Sequence, residues 1–204
     1  MEEIFTKIYD SCLWGNNNDN EYDGSSGGGS TLEYNKNEYI PFLKNFLLKK
    51  NIKKVVDLGC GDFICGHSIY DSIPNIEYHG YDTYKKIIDK HNKSISSSKF
   101  TFTYLDFFKE KENIDNGDLC ILKDVLQHWS LENITLFLDY LVESGKFKYI
   151  LICNCSWQTE DNLNINNGEF RCLSSNYFPL KKYKPEILLN YNTKEVSLIS
   201  LPIK

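Results

Sequence analysis

At 204 residues and 23.8 kDa the chain has the size of one α/β domain, and two full domains are excluded. Apolar residues make up 41% and aromatics 14%, with 14 Tyr and 12 Phe, so a sizeable core is expected despite a mean hydropathy of -0.43, and global disorder is excluded. With 23 basic against 28 acidic side chains the net charge is -5, which argues against nucleic acid or an anionic membrane as the main partner. No apolar run approaches the ~18 residues of a transmembrane helix and the start, Met1-Glu2-Glu3, is acidic, so a soluble, cytoplasmic protein is expected. The seven cysteines are odd in number and show no paired C-x-x-C spacing; they are read as reduced, with no metal site.

Ile4, Phe5 and Ile8 predict a short helix within the first thirteen residues. Residues 15–30 are polar and glycine-rich, and read either as a flexible linker or as a lid over a ligand, with Trp14 as its aromatic handle. Ser30-Thr31-Leu32-Glu33 has capping-box spacing for a helix start. Pro41 suits the first turn of a further helix striped by Phe42, Leu43, Phe46 and Leu47. We therefore divide the chain into an N-terminal helix and glycine-rich lid (1–36) and a main domain (37–204).

From residue 53 onward strands and helices alternate. Strands are predicted at Val55–Asp57, Ile76–Asp82, Phe100–Tyr104, Leu119–Leu122 and Tyr149–Cys153, and helices at 62–73, 84–95 and 131–142. Such alternation predicts a parallel sheet with right-handed crossovers. The runs 186–191 and 195–201, split by Asn192-Thr193, predict an antiparallel hairpin. Between the fifth strand and the hairpin lie some thirty residues without a clear period, 156–185, a length typical of a binding loop.

Asp57-Leu58-Gly59-Cys60-Gly61 stands where the first strand turns into a helix. Two glycines allow close backbone approach to a nucleotide-like ligand at the carboxyl edge of the sheet. The third glycine of a dinucleotide fingerprint is missing, position 64 being Ile, and the Asp57 charge suits an ammonium better than a pyrophosphate. The spacing of 21 residues from Gly61 to Asp82 agrees with that from a glycine loop to a ribose-binding acid.

These residues, with Asp82 ending strand two, Asp106 after strand three and Gly117-Asp118 opening strand four, resemble the class I S-adenosylmethionine-dependent methyltransferases over residues 50–204. The resemblance implies an α/β, Rossmann-like, doubly wound seven-stranded sheet with an antiparallel C-terminal hairpin, and S-adenosyl-L-methionine as cofactor. It implies that Asp57, Gly59 and Gly61 cradle the methionine part, that Asp82 binds the ribose hydroxyls and that Asp106 meets the adenine amino group. Trp14 is expected near the cofactor. Phe63 stands where many members have a third glycine, so the loop is expected to close against its ring.

Methyl transfer aligns donor and acceptor, and a hydroxyl acceptor must also lose its proton. In this fold the tip of strand four lies beside the methyl group, and here it reads Lys123-Asp124-Val125-Leu126-Gln127-His128. His128 is either the general base or a structural cap of the following helix; Asp124 is a substrate ligand or the alternative base. Lys123, Trp157 and Arg171, the only arginine, are expected to bind the acceptor, Arg171 being either a surface charge or a bidentate clamp. The expected activity is O-methylation of a small polar acceptor, a sugar or nucleotide-sugar. Its rivals are an RNA or protein methyltransferase, against which the acidic charge counts, and a non-catalytic cofactor-binding domain.

Overall fold

The computed structural model describes residues 1–16, 24–157 and 161–202. Its strands are β1 (Lys54–Leu58), β2 (Glu77–Asp82), β3 (Phe100–Tyr104), β4 (Leu119–Lys123), β5 (Tyr149–Cys155), β6 (Glu186–Tyr191) and β7 (Lys194–Ser200). They form one mixed seven-stranded sheet in the order β3-β2-β1-β4-β5-β7-β6. The chain divides into two compact units, Met1–Ile114 and Asp115–Lys204.

In the first unit β1 pairs in parallel with β2, and β2 with β3, in a register that sets Leu58 beside Tyr81 and Asp82 beside Tyr104. Val55, Val56 and Leu58 are wholly buried, as expected of an apolar strand covered on both faces, and each such side chain contributes about 1.5–3 kcal/mol. The helices here are α1 (Glu2–Asp10), α2 (Leu32–Asn35), α3 (Tyr39–Lys49), α4 (Ile64–Tyr70) and α5 (Lys85–Ser94). Pro41 sits in the first turn of α3, where no helical hydrogen bond is lost, and α3 buries Ile40, Leu43, Phe46 and Leu47. Ile87, Ile88 and His91 are the buried residues of α5, which packs on β2 and β3.

Two local expectations shift. The α1 stripe is Phe5, Ile8 and Tyr9, with Ile4 turned outward. Thr31, not Ser30, caps α2: its Oγ1 accepts from the Tyr34 amide at 3.3 Å, while Ser30 Oγ donates to Asp62 and Glu33 pairs with Lys36. Seven of the residues read as linker or lid, 17–23, lie outside those described.

In the second unit β4 pairs in parallel with β5, and β7 runs antiparallel to both β5 and β6. Asn192, at φ 49, and Thr193 make the expected hairpin turn, and β7 begins one residue earlier than the pattern suggested, at Lys194. Helix α6 (Leu131–Glu143) is capped by Ser130 Oγ, which accepts from the Asn133 amide, and turns Ile134, Phe137, Leu138 and Leu141 inward. The long loop after β5 is tied by buried polar side chains. Asn162 exchanges hydrogen bonds with Ser174 and also holds the Phe178 carbonyl, and Glu195 accepts from Ser174 and Ser175. Among the described residues no helix is long and apolar enough to cross a membrane.

Candidate functional site

The glycine loop leaves β1 with Gly59 at φ 85 and Gly61 at φ 53, left-handed backbone that only glycine adopts without strain. The Gly59 and Cys60 amides both donate to the Tyr81 carbonyl, so the loop folds over the end of β2. Asp82 fastens it there: one carboxylate oxygen accepts from the Gly61 amide at 2.9 Å and the other from the Tyr84 amide at 2.9 Å. Burial pushes the Asp82 carboxyl above its ordinary range, against the pull of those amides. A carboxylate has about four lone-pair sites, so the group has further accepting capacity beyond these amides. His91 Nε2 donates to the Gly61 carbonyl at 2.8 Å, which gives this helix histidine a structural task. Asp57 accepts from Tyr78 Oη at 2.8 Å.

The Phe63 backbone is left-handed at φ 55, and its ring is 6% exposed and packs among Tyr70, Tyr78, His91, Phe100 and Phe102. Gly66 makes this possible, because a Cβ there would stand 2.0 Å from the ring.

Residues before α2 cover the loop. Ser26 Oγ accepts from the Asp62 amide at 2.9 Å and shares a hydrogen bond with Tyr9 Oη at 2.7 Å; Tyr9 stacks on Tyr84 with centroids 4.4 Å apart. Asp106 Oδ2 accepts from the Met1 amino group at 2.9 Å and the Glu2 amide at 3.1 Å. The acid expected to meet adenine thus anchors the first turn of α1. Trp14 packs on Phe5 and Tyr9, its ring centroid 5.9 and 5.5 Å from theirs.

In the second unit Asp124 follows β4 in a left-handed conformation, φ 61. Its carboxylate pairs with Lys123 Nζ at 2.7 Å and with the buried Lys194 Nζ. Although burial opposes ionisation, the two ammonium groups hold it down to about 2. Such a carboxylate is a poor proton acceptor near neutral pH.

His128 lies in the turn Leu126–His128, 7% exposed. Its Nδ1 is 3.0 Å from the Glu169 carbonyl, which can only accept, so Nδ1 carries the proton and Nε2 keeps its lone pair. The Gln127 amide nitrogen approaches that lone pair at 3.4 Å. Burial is the main cause that lowers the His128 pKa below its ordinary value, so the ring is neutral at neutral pH.

Arg171 is neither a surface charge nor an open fork. It is 6% exposed, donates from Nη1 to the Leu126 carbonyl at 3.2 Å and from Nη2 to the Trp129 carbonyl at 2.9 Å, and burial lowers its pKa to about 10. Trp157, by contrast, is 70% exposed, as are half or more of Phe170 and Phe178.

Four residues that shape these sites carried no sequence signal: Tyr9, Ser26, Gln127 and Lys194. Each acts across a long sequence separation. Only the alternation of β7, in which Lys194 falls on the same face as Val196, could have hinted that this lysine is buried.

The fold is that of the S-adenosylmethionine-dependent methyltransferases. The sequence matches the family model of the O-methyltransferase domain over residues 28–162, more than half of its length, and the chain belongs to that family. No curated protein sequence matches it. Among solved structures it is similar to human N-acetylserotonin methyltransferase in complex with S-adenosylmethionine, with TM-score 0.62 and 16% identity over 79% of this chain and 51% of that one. The methyltransferase domain of bacterial CtHen1-CN aligns with TM-score 0.61 and 14% identity over 79% of this chain and 97% of that one. The N-terminal domain of EvdMO1, solved in the presence of S-adenosylhomocysteine and D-fucose, gives 0.58 and 11% over 81% and 84%. This chain spans about half the length of the human enzyme.

Proposed function

We propose that this chain is an S-adenosylmethionine-dependent O-methyltransferase of a small polar acceptor, a sugar hydroxyl presented free or on a nucleotide, acting in the cytoplasm. The observation that carries the reading is the set of acids at the strand ends of the first unit. Asp57 and Asp82 on neighbouring parallel strands, with Gly59 and Gly61 between them, form an edge suited to a ligand rich in hydroxyl and amino donors, while Asp106 just beyond β3 is taken up by the start of α1. The residues fit that cofactor in chemical type: Gly59 and Gly61 turn the loop through left-handed backbone, Asp82 is a carboxylate at the end of β2 for ribose hydroxyls, and Asp57 offers a negative charge to the methionine ammonium. When bound, the cofactor supplies an electrophilic methyl group on a sulfonium.

The chain's own residues then have separate tasks. His128, neutral and with its Nδ1 proton committed to Glu169, takes the acceptor's hydroxyl proton at Nε2 when that hydroxyl replaces the long Gln127 contact on the nitrogen's one lone pair. Asp124 holds Lys123 and Lys194 in place, and Lys123, the more exposed of the two, attracts an acceptor's negative charge. The exposed faces of Trp157, Phe170 and Phe178 suit sugar rings or bases, which supports the sugar reading, as does the fucose present with the EvdMO1 domain. The net charge of -5 counts against an RNA acceptor.

The test is transfer of label from methyl-labelled S-adenosylmethionine to a panel of free sugars, nucleotide-linked sugars, RNA and denatured protein. Label on a sugar hydroxyl is expected. Label on RNA or protein would replace the acceptor, and no transfer despite cofactor binding would leave a binding domain.

A further inference from the structure

We infer that Arg171 and Gln127 are positioning residues that together hold the His128 imidazole in one tautomer, with Nε2 as the acceptor. This rests on the reading of His128 as the general base, and goes beyond it by naming what holds the ring.

The turn that carries His128 cannot hold itself. After the left-handed Asp124 the backbone makes one 3-10 turn, with only the His128 amide to Val125 at 3.0 Å and the Trp129 amide to Leu126 at 3.1 Å within it. Besides the burial of Leu126 and Trp129, the segment 166–173 fastens it by taking up four consecutive carbonyls. Arg171 Nη1 binds that of Leu126, the Arg171 amide that of Gln127 at 3.2 Å, the Gly168 amide that of His128 at 2.8 Å, and Arg171 Nη2 that of Trp129. Arg171 thus makes three of these four bonds. The same segment receives the imidazole: Glu169, two residues before Arg171, accepts the Nδ1 proton.

Gln127 constrains the ring from its other side. Its Oε1 accepts from the Cys155 amide at 2.8 Å, which turns its amide nitrogen toward His128 Nε2. An N–H donor facing Nε2 is compatible only with an unprotonated Nε2. The tautomer is therefore specified twice, once by a carbonyl and once by an amide.

A guanidinium buried on uncharged carbonyls is a costly fastener, since its charge is desolvated without a carboxylate in return. Its charge has an effect that an amide would lack. Burial lowers the His128 pKa, the Glu169 carbonyl and Asp124 oppose this, and the Arg171 and Lys194 charges reinforce it. Lysine could supply the charge but not the two-pronged reach to carbonyls three residues apart.

Side-chain ¹⁵N NMR of the full-length protein tests this, read on wild type, Arg171→Lys, Arg171→Met and Gln127→Glu across the pH range, beside the pH profile of methyl transfer. The wild type is expected to show His128 in the Nδ1–H form with Nε2 unprotonated at neutral pH. Arg171→Met should raise the pH at which the ring titrates, move the acid limb of the rate with it, and lower turnover by ~10²-fold, the order seen when a reacting group is misplaced by about 1 Å. Arg171→Lys should leave the titration low but mix the tautomers. Gln127→Glu, which leaves the guanidinium untouched, should raise the titration by offering Nε2 a carboxylate. An Nε2–H or charged ring in the wild type overturns the inference even if the arginine variants do not fold, as does a titration unmoved in folded Arg171→Met. If the ring responds as stated while His128→Ala keeps full activity, the base assignment fails and the positioning stands.

Discussion

Replacing Gly61 by Ala tests whether Ser26 truly seats on the glycine loop. A Cβ at Gly61 would stand 2.5 Å from Ser26 Oγ and 3.2 Å from Ser26 Cβ, with the backbone at φ +53. The left-handed conformation costs an alanine ~1–2 kcal/mol. Displacing Ser26 also removes its bonds to the Asp62 amide and Tyr9 Oη, worth ~0.5–1.5 kcal/mol each. Gly61→Ala should therefore lose ~2–5 kcal/mol, a fall in Tm of roughly 5–15 °C for a domain of this size. Ser26→Gly alone forfeits only the two hydrogen bonds, ~1–3 kcal/mol. In the double variant the clash is gone and those bonds are counted once, so the cost returns to ~2–5 kcal/mol and the pair couples by ~1–3 kcal/mol. Urea unfolding of the four proteins measures the cycle. Additivity within about 0.5 kcal/mol would refute the seating of Ser26 on Gly61.

His128→Ala should slow methyl transfer by ~10² to 10⁴ while cofactor affinity, measured by calorimetry, stays constant. His91 and His128 both bind protons less readily in the fold than in the unfolded chain, so the unfolding free energy should decline as pH falls below ~6.5, read as a lower urea midpoint at pH 5.5 than at 7.5. Asp124→Asn leaves two ammonium groups without their carboxylate and should cost ~3–5 kcal/mol in urea unfolding. In the wild type the Asp124 contribution is fully present above the unfolded carboxylate pKa of ~4 and is lost as pH falls toward about 2, a loss that Asp124→Asn should abolish.

What could be read from sequence follows the range of the interactions involved. The strands β1 to β5 and the β6–β7 hairpin announce themselves by short apolar runs, by alternation as in Phe100, Phe102 and Tyr104, and by a two-residue turn, signals confined to a few neighbours. The acids are legible as positions, Asp57 and Asp82 in the last two residues of β1 and β2 and Asp106 just beyond β3, while their expected roles come from the family resemblance. The cap of α2 slipped by one residue because Ser30 found a stronger partner in Asp62, 32 positions away. That the Phe63 ring joins an aromatic cluster is not legible locally, because the room for it comes from the absence of a Cβ at Gly66 and from partners on other strands and helices. From sequence Arg171 reads as either a surface charge or a bidentate clamp, because nothing local reveals the four carbonyls it helps to hold, the farthest 45 positions away.

The measurement that tests the central claim most directly is calorimetric titration of S-adenosylhomocysteine and of NAD into the wild type and Asp82→Ala, at a temperature where both are folded. The account predicts that the wild type binds S-adenosylhomocysteine but not NAD, and that Asp82→Ala weakens binding by ~1.5–3 kcal/mol, the value of hydrogen bonds to a charged group. Unchanged affinity in the variant, or NAD binding as tightly as S-adenosylhomocysteine, would contradict it.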